Sequence, residues 1–164
     1  MGLAVTVLVG LAATIVAPTT AGATNGWTAR TNIDVSGITG VSCPTTSSCT
    51  AVDAVGQVLT YNGTHWSAPT GIDGSTRLVA VSCPTTSFCA AIDDAGNALI
   101  YTGTWSTASS MDGSNTLVGL SCASSTFCVA VDQQDNALVY DGTSWSLPVL
   151  IDSVNQLTAV SCAS

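Results

Sequence analysis

The sequence predicts an all-β protein built from repeated four-stranded antiparallel sheets, and three observations lead to this fold class. The first is a repeat of about 40 residues, because the leading cysteine of each copy recurs in steps of 40, 39 and 40: Cys43, Cys83, Cys122 and Cys162. The second is that short apolar runs alternate with turn signals about every ten residues, which is typical of short antiparallel strands. The third is that no ten-residue helical pattern follows the N-terminal apolar segment.

The four strands of a unit are clearest in its second copy. We predict strand a at Leu78–Cys83, strand b at Phe88–Ile92, strand c at Asn97–Tyr101 and strand d from Trp105 onwards. An Asp-x-x-Gly turn, Asp93–Gly96, joins strand b to strand c. Four short strands per repeat of this length are typical of a β-propeller blade. Strand a, with its small and β-branched residues, suits the crowded innermost position, and the Tyr and Trp residues suit the wider space between blades.

The strand count predicts a partial propeller, an arc of about three blades. Trp27 to about Asp34 would be a lone strand d, and Leu157–Cys162 would be a lone strand a, on either side of three complete units. A four-bladed ring needs about sixteen strands, so strands b and c of one blade would be absent. We therefore expect either further repeats in a longer protein or a homo-oligomer to complete the ring.

The chain is predicted to divide into a signal peptide, residues 1–23, and a propeller-like repeat region, residues 24–164. Met1–Ala17 is an apolar run without charge, and Ala21-Gly22-Ala23 offers a small-residue cleavage site before Thr24. No Lys or Arg precedes the apolar run, so an uncleaved membrane anchor is the alternative. The repeats are placed at about 43–82, 83–121 and 122–161, with partial blades at both ends. We expect a secreted, extracellular protein without membrane association after signal cleavage.

The charge of the chain argues against a nucleic-acid partner. Charged residues make up 7% of the sequence, the net charge is −8, and all ten acidic residues are Asp. There is no Lys, and Arg30 and Arg77 are the only Arg residues. A protein that binds a polyanion needs a basic surface to neutralise the phosphates, and this sequence has too few cations to build one.

The paired cysteines predict three local disulfides: Cys43–Cys49, Cys83–Cys89 and Cys122–Cys128. Regular cysteine spacing in an exported chain is typical of a disulfide framework, and strand ends across a hairpin lie about 5.5 Å apart, within disulfide range. A metal or redox site is the alternative, but the C-x5-C spacing does not match the usual zinc or C-x-x-C patterns, and His65 has no counterpart in the other copies. Cys162 is left unpaired, and we predict no metal and no cofactor.

The repeat also resembles a known kind of protein. Units such as "VSCPTTSFC", followed by A-V/I-D-x-x-G, a strand ending in Tyr, a Gly turn, W-S and I/M-D, are similar to those of secreted bacterial β-propeller proteins of the actinobacterial type. The resemblance extends from Trp27 to Cys162 and implies export and a propeller fold. Related tectonin-like and sialidase-type repeats occur in lectins, glycosidases and extracellular sensor domains.

The repeated Asp residues are interpreted as turn formers. Asp53, Asp93 and Asp132 follow strand b, and a carboxylate in Asp-x-x-Gly accepts hydrogen bonds from nearby backbone N–H groups. A second set follows strand d: Asp34, Asp73, Asp112 and Asp152. A catalytic carboxylate pair would require two unlike environments, which repetition at equivalent positions does not favour. Calcium binding at Asp132/Asp135 or Asp93/Asp94 is a weaker alternative.

The aromatic residues are the candidate ligand-binding residues: Tyr61, Trp66, Tyr101, Trp105, Tyr140 and Trp145. Their rings would stack on sugars, and packing in the core between blades is the alternative that we favour. We predict no catalytic residue. The leading hypothesis is a non-catalytic extracellular binding or scaffold module that binds a protein or a glycan through blade-end loops such as Pro44–Ser48. The alternatives are a carbohydrate-binding, lectin-like propeller and a fragment of a glycosidase-like or sensor protein.

Overall fold

The computed structural model describes residues 32–163, which form three four-stranded antiparallel sheets. The first sheet, called blade 1, contains β1 Ile38–Thr45, β2 Ser48–Asp53, β3 Gln57–Tyr61 and β4 Thr70–Gly71. Blade 2 contains β5 Leu78–Thr85, β6 Phe88–Asp93, β7 Asn97–Tyr101 and β8 Ser109–Ser110. Blade 3 contains β9 Leu117–Ser124, β10 Phe127–Asp132, β11 Asn136–Tyr140 and β12 Val149–Leu150. The strands of each blade lie in chain order, which confirms the predicted all-β fold with three propeller-like blades.

The predicted signal peptide, its cleavage site before Thr24 and most of the lone strand d from Trp27 lie outside the described residues. Each sheet begins at its strand a, so blades 1, 2 and 3 start at Ile38, Leu78 and Leu117 rather than at the leading cysteine used to place the repeats. No helix within residues 32–163 has the length and apolar character needed to cross a bilayer.

The first strand of each blade lies innermost, as predicted. β5 packs against both β1 and β9, so blade 2 lies between the other two blades. A repeated hydrogen bond joins these inner strands, because the serine before each cysteine accepts from the backbone N–H of the cysteine in the next copy. Cys83 N–H donates to Ser42 Oγ at 2.9 Å, and Cys122 N–H donates to Ser82 Oγ at 2.9 Å. The Ser-Cys dipeptide of the repeat therefore links neighbouring blades.

Strand d is shorter than predicted. Trp105 forms only a single bridge with Tyr101, and the regular strand is limited to Ser109–Ser110. The serine after each Trp replaces part of the backbone ladder: Ser106 Oγ accepts from Ile100 N–H at 3.0 Å and donates to the Thr107 carbonyl at 2.9 Å. The same pattern occurs at the equivalent serines, Ser67 and Ser146. A hydroxyl that takes the place of a backbone partner interrupts regular pairing.

The prediction of a strand at Leu157–Cys162 is wrong, since the structure assigns no strand there. The segment still lies beside β9: Cys162 N–H donates to Ser121 Oγ at 3.0 Å, and Leu157 N–H donates to Asp135 Oδ1 at 2.8 Å. It occupies the place of a fourth inner strand and repeats the serine–cysteine bond of the other blades. It has no ladder because the strand b that would pair with it is not in this sequence.

The apolar core lies between blades rather than within one. At the junction of blades 1 and 2, Val52 and Val58 pack against a cluster that includes Leu78, Val81 and Leu99. At the junction of blades 2 and 3, the buried cluster joins Phe88, Ala90 and Ile92 to residues of blade 3, among them Leu117, Leu120 and Leu138. Each blade is therefore stabilised mainly by its neighbours.

All three predicted cysteine pairs lie at disulfide distance, with S–S separations of 2.07 Å for Cys43–Cys49, 2.04 Å for Cys83–Cys89 and 2.03 Å for Cys122–Cys128. Their Cα atoms are 4.0, 4.1 and 3.9 Å apart, closer than the expected strand spacing. Each pair joins the end of strand a to the start of strand b next to an irregularity in the pairing. Cys162 is free and half-buried.

Candidate binding grooves between blades

Two grooves lie along the blade junctions. Groove 1, between blades 1 and 2, has a volume of about 250 Å³ and is lined by Pro44, Ser48, Cys49, Thr50, Thr60, Thr85, Thr86, Cys89, Tyr101 and Trp105. Groove 2, between blades 2 and 3, has a volume of about 410 Å³ and is lined by Ala98, Ile100, Ser106, Ser109, Ser110, Met111, Tyr140, Thr143, Ser144, Trp145, Ser146 and Leu147. Both grooves are bordered by the aromatic pair of the following blade.

Groove 1 is built where the turn between strands a and b meets the aromatic pair of the next blade. Pro44 and Ser48 flank this turn in blade 1, and Thr85 and Thr86 lie at the start of the same turn in blade 2. The disulfides fix the ends of both turns, so this wall is anchored to the strands. The predicted contact loop Pro44–Ser48 therefore contributes directly to a groove.

The Tyr and Trp of each blade pack on one another. Their ring centroids are 5.5 Å apart for Tyr61–Trp66, 5.5 Å for Tyr101–Trp105 and 5.3 Å for Tyr140–Trp145, with interplanar angles between 40° and 50°. A single backbone bridge joins the two residues of each pair. The tilted packing fixes both rings, so a ligand would meet a preformed aromatic surface.

The aromatic pairs of blades 2 and 3 lie between the inter-blade core and a groove. Trp105 and Trp145 are half-buried and pack against the inter-blade cores, and both line a groove. Tyr140 is buried and stacks near Phe88, with centroids 6.2 Å apart. The Trp145 indole Nε1 is buried without a hydrogen-bond partner. The packing in the inter-blade core is therefore observed for Trp105 and Trp145, and their ligand binding stays a prediction.

Four of the six predicted ligand-binding residues line the grooves: Tyr101, Trp105, Tyr140 and Trp145. Tyr61 and Trp66 line neither of them. The hydroxyl groups of the grooves were not predicted from the sequence, because Ser and Thr residues occur throughout the chain. Thr50, Thr60 and the serines around Trp105 and Trp145 gave no local signal, since only the docking of two blades brings them to one groove.

All the residues that line the two grooves are uncharged. Hydroxyls, aromatic rings and disulfide sulfurs can bind a neutral ligand by stacking and hydrogen bonding. No carboxylate or imidazole within these linings is placed to act as a general base. The linings are therefore better suited to binding than to acid–base chemistry.

The carboxylates after strand b behave as the predicted turn formers. Asp93 Oδ1 accepts from the backbone N–H groups of Ala95 at 3.0 Å and Asn97 at 2.7 Å, and Asp53 and Asp132 make the equivalent bonds. All three are fully buried. Within residues 32–163 there is no group of three or more His, Cys, Asp or Glu side chains that could hold a metal ion.

The carboxylates after strand d differ from these turn residues. Burial, followed by the charge of Asp93, a hydrogen bond with Asp93 and the charge of Asp94, raises the pKa of Asp73 to about 6. Burial and a hydrogen bond with Asp132 raise the pKa of Asp112 to about 6 as well. Sequence analysis did not predict this pairing, because the partners lie 20 residues apart in the chain and belong to different blades.

Comparison with known proteins places the fold. No family model matches the chain, and no curated protein matches its sequence. The solved structure of YCF48 bound to D1 peptide superposes with a TM-score of 0.59 at 13% identity, covering 68% of this chain and 40% of YCF48. The RRP9 WD40 repeats give a TM-score of 0.62 at 14% identity, covering 78% of this chain and 42% of RRP9.

A designed protein is similar over most of its own length. The computationally designed Ika4 protein gives a TM-score of 0.54 at 16% identity, covering 76% of this chain and 78% of Ika4. The chain spans about two fifths of the length of the natural neighbours YCF48 and RRP9. At these identities the likeness shows the fold alone: the described blades are those of a β-propeller.

Proposed function

We propose that this protein is a non-catalytic, extracellular binding module that holds a protein partner in its inter-blade grooves. The observation that carries the proposal is groove 1. There the disulfide-anchored turns of two blades meet a half-buried tryptophan, Trp105, in a lining without charge. A concave site with an aromatic wall and a few hydrogen-bonding groups is the usual form of a recognition site.

The comparisons support a protein partner. YCF48 has been solved bound to D1 peptide, and another neighbour forms the outer coat vertex of COPII on membranes. Neutral hydroxyls suit the backbone of a bound peptide, and an aromatic wall suits one apolar side chain. The net charge of −8 favours neutral or cationic partners over anionic ones.

Export is supported by the cysteines and by the N-terminal sequence. Three cysteine pairs at disulfide distance within residues 32–163 match an oxidising compartment. Met1–Ala17 supplies the apolar core of a signal peptide. The partner of an extracellular module would be another extracellular protein or a protein at a cell surface.

A carbohydrate ligand is the second candidate, and the composition of groove 2 favours it. Several serine hydroxyls surround Trp145 there, and sugars are commonly bound by an aromatic face together with neutral hydrogen-bonding groups. In this case the protein would be a lectin-like propeller with one shallow site at each blade junction.

Binding assays on matched tryptophan variants test both candidates. We expect ligands selected from a displayed peptide library to lose at least tenfold in affinity with Trp105→Ala, because the aromatic wall of groove 1 is removed. Trp66→Ala is the control, since it removes the equivalent tryptophan that lines neither groove. A glycan array probed with the same proteins reports on the second candidate, with Trp145→Ala as the variant for groove 2.

The outcomes separate the two functions. Peptide binding that is lost with Trp105→Ala and kept with Trp66→Ala supports the protein-binding module, and glycan binding lost with Trp145→Ala selects the lectin. Equal loss with Trp66→Ala and Trp105→Ala in folded proteins would exclude groove 1 as the peptide site. Thermal unfolding of each variant establishes that it is folded.

A further inference from the structure

Two carboxyl groups meet at each blade junction, one from the end of a blade and one from strand b of the next blade. The pairs are Asp73 with Asp93 and Asp112 with Asp132. We propose that each pair shares one proton, as a carboxylic acid donating to a carboxylate, and that this proton makes the packing of the blades tightest at mildly acidic pH. The proposal is independent of what the grooves bind.

One member of each pair accepts several hydrogen bonds. Asp93 accepts two backbone N–H groups on Oδ1, and its Oδ2 accepts from Asn97 Nδ2 at 2.6 Å. Asp132 repeats the arrangement, with Asn136 Nδ2 donating to its Oδ2 at 2.7 Å. Three donors therefore satisfy the oxygens of each of these fully buried carboxyl groups. Burial alone would raise the pKa of Asp132, but these hydrogen bonds lower it below its usual value.

The other member of each pair has one carboxyl oxygen without a donor. Asp73 Oδ2 and Asp112 Oδ2 are buried and have no hydrogen-bond partner. A buried carboxylate oxygen without a donor is costly, and the neighbouring ionised carboxylate adds repulsion. A proton on Asp73 or Asp112 removes both costs, because the acid O–H then donates to Asp93 or Asp132. The two environments within a pair are therefore unlike, although the pair itself is repeated.

The charged groups near each pair also favour a proton on Asp73 and Asp112. Asp93 and Asp94, at the end of β6 and in its turn, both act on Asp73 and are both negative. Asp132, at the end of β10, acts on Asp112, where Asn115 Nδ2 donates a compensating hydrogen bond at 3.2 Å. Arg77, the only Lys or Arg within residues 32–163, contacts this region through its carbonyl, which accepts from Asp94 N–H.

Two further carboxyl oxygens without a hydrogen-bond partner lie before blade 1 and at the end of its strand b. Asp34 Oδ2 and Asp53 Oδ2 are both buried without a partner. Gln57 stands where blades 2 and 3 have Asn97 and Asn136, so no side-chain amide donates to Asp53 Oδ2. The shared proton is therefore assigned to two junctions, that of Asp73 with Asp93 and that of Asp112 with Asp132.

The direction of the pH effect follows from the raised pKa values. The pKa of Asp73 and Asp112 is about 6 in the folded protein and about 3.8 in the unfolded chain. Their contribution to stability is complete below the unfolded value and is lost as the pH rises through the folded value. Asp132 has a lowered pKa and acts in the opposite sense, losing its contribution only as the pH falls into its own titration range. The junctions should therefore loosen between about pH 4 and pH 6, and pH 5 and pH 8 lie within and above this range.

Thermal unfolding at pH 5 and pH 8 tests the shared proton. We expect the Tm of the wild-type chain to be about 5 °C lower at pH 8, from the usual dependence of Tm on stability for a domain of this size. In the double variant Asp73→Asn, Asp112→Asn this difference should disappear, because a carboxamide N–H donates to Asp93 and Asp132 at every pH. Asp141→Asn is the control: Asp141 is an exposed turn residue, and its removal should leave the difference unchanged.

Carbon-13 NMR of the Asp carboxyl groups gives a second measurement that does not depend on unfolding. Asp73 and Asp112 should titrate near pH 6, and Asp141 should titrate below its usual range, because backbone N–H groups of Ser144 and Thr143 lower its pKa. A wild-type Tm that is equal or higher at pH 8 would overturn the proposal. So would recovery of the pH 5 Tm at pH 8 on addition of Ca²⁺, since a cation rather than a proton would then occupy the pair.

Discussion

Several residues of the repeat form hydrogen bonds that recur in each blade. Some of these bonds could be predicted from the sequence, and others could not. The turn role of Asp93 could be predicted, because Asp-x-x-Gly places donor and acceptor only a few residues apart. The bond from Cys122 N–H to Ser82 Oγ could not, since it spans 40 residues and depends on the docking of two blades. Hydrogen bonds within a turn can therefore be predicted from the sequence, whereas hydrogen bonds between blades become evident only from the folded structure.

Gly96 is a residue whose local role can be measured. Its φ is +84°, and a Cβ at this position would lie 2.7 Å from the Gly113 carbonyl oxygen. We expect Gly96→Ala to lower the free energy of unfolding by about 3 kcal/mol, from backbone strain together with the clash. Urea unfolding measures this cost.

The matched control is Gly74→Ala. Gly74 also has a positive φ, +58°, but a Cβ there would meet nothing within 4 Å. Its cost should be about 1 kcal/mol, from the backbone conformation alone. Equal losses for the two variants would show that the contact with the Gly113 carbonyl does not limit this position.

At the scale of elements, the order and type of the strands were predictable and their lengths were not. Strands a, b and c of blade 2 lie where the alternation of apolar runs and turns predicted them. Strand d is short because Ser106 uses its side chain in place of a ladder partner, and no periodic pattern records this. The segment Leu157–Cys162 has the sequence of an inner strand but lacks the neighbour that would make it one.

The a–b hairpin disulfides make a prediction at this scale. The double substitution Cys83→Ser, Cys89→Ser should lower the free energy of unfolding by about 2 kcal/mol, because the bond closes only a short loop. Urea unfolding under non-reducing conditions measures the loss. Cys162→Ser is the control and should leave stability nearly unchanged, since Cys162 forms no disulfide. A loss for Cys162→Ser as large as that for the double variant would contradict this view.

The whole molecule shows how far equivalent positions differ when one lies at a junction and the other on an end face. Phe88 is 5% exposed in the core between blades 2 and 3, whereas its equivalent Phe127 is 44% exposed on blade 3. Val41 of blade 1 is 58% exposed, and its equivalent Val81 is 7% exposed. The sequence predicts the number of blades, but the same motif is core in one copy and surface in another.

This difference predicts unequal costs for the same substitution. Phe88→Ala should lower the free energy of unfolding by about 3 kcal/mol, as expected for a buried Phe, and Phe127→Ala should cost less than about 1 kcal/mol. Chemical unfolding at several protein concentrations measures both. A large, concentration-dependent cost for Phe127→Ala would instead show that a second copy covers this face, which is one of the two ways in which the ring was predicted to be completed.

The serine–cysteine hydrogen bonds between inner strands all have the same order in the chain, with the acceptor before the donor. Ser42 precedes its donor Cys83 in the chain, Ser82 precedes Cys122, and Ser121 precedes Cys162. Because a polypeptide is synthesised from its N-terminus, every acceptor in this series is therefore made before its donor. Each new inner strand meets a partner about 40 residues behind it, so the blades can be added one after another while the remainder of the chain is still being synthesised.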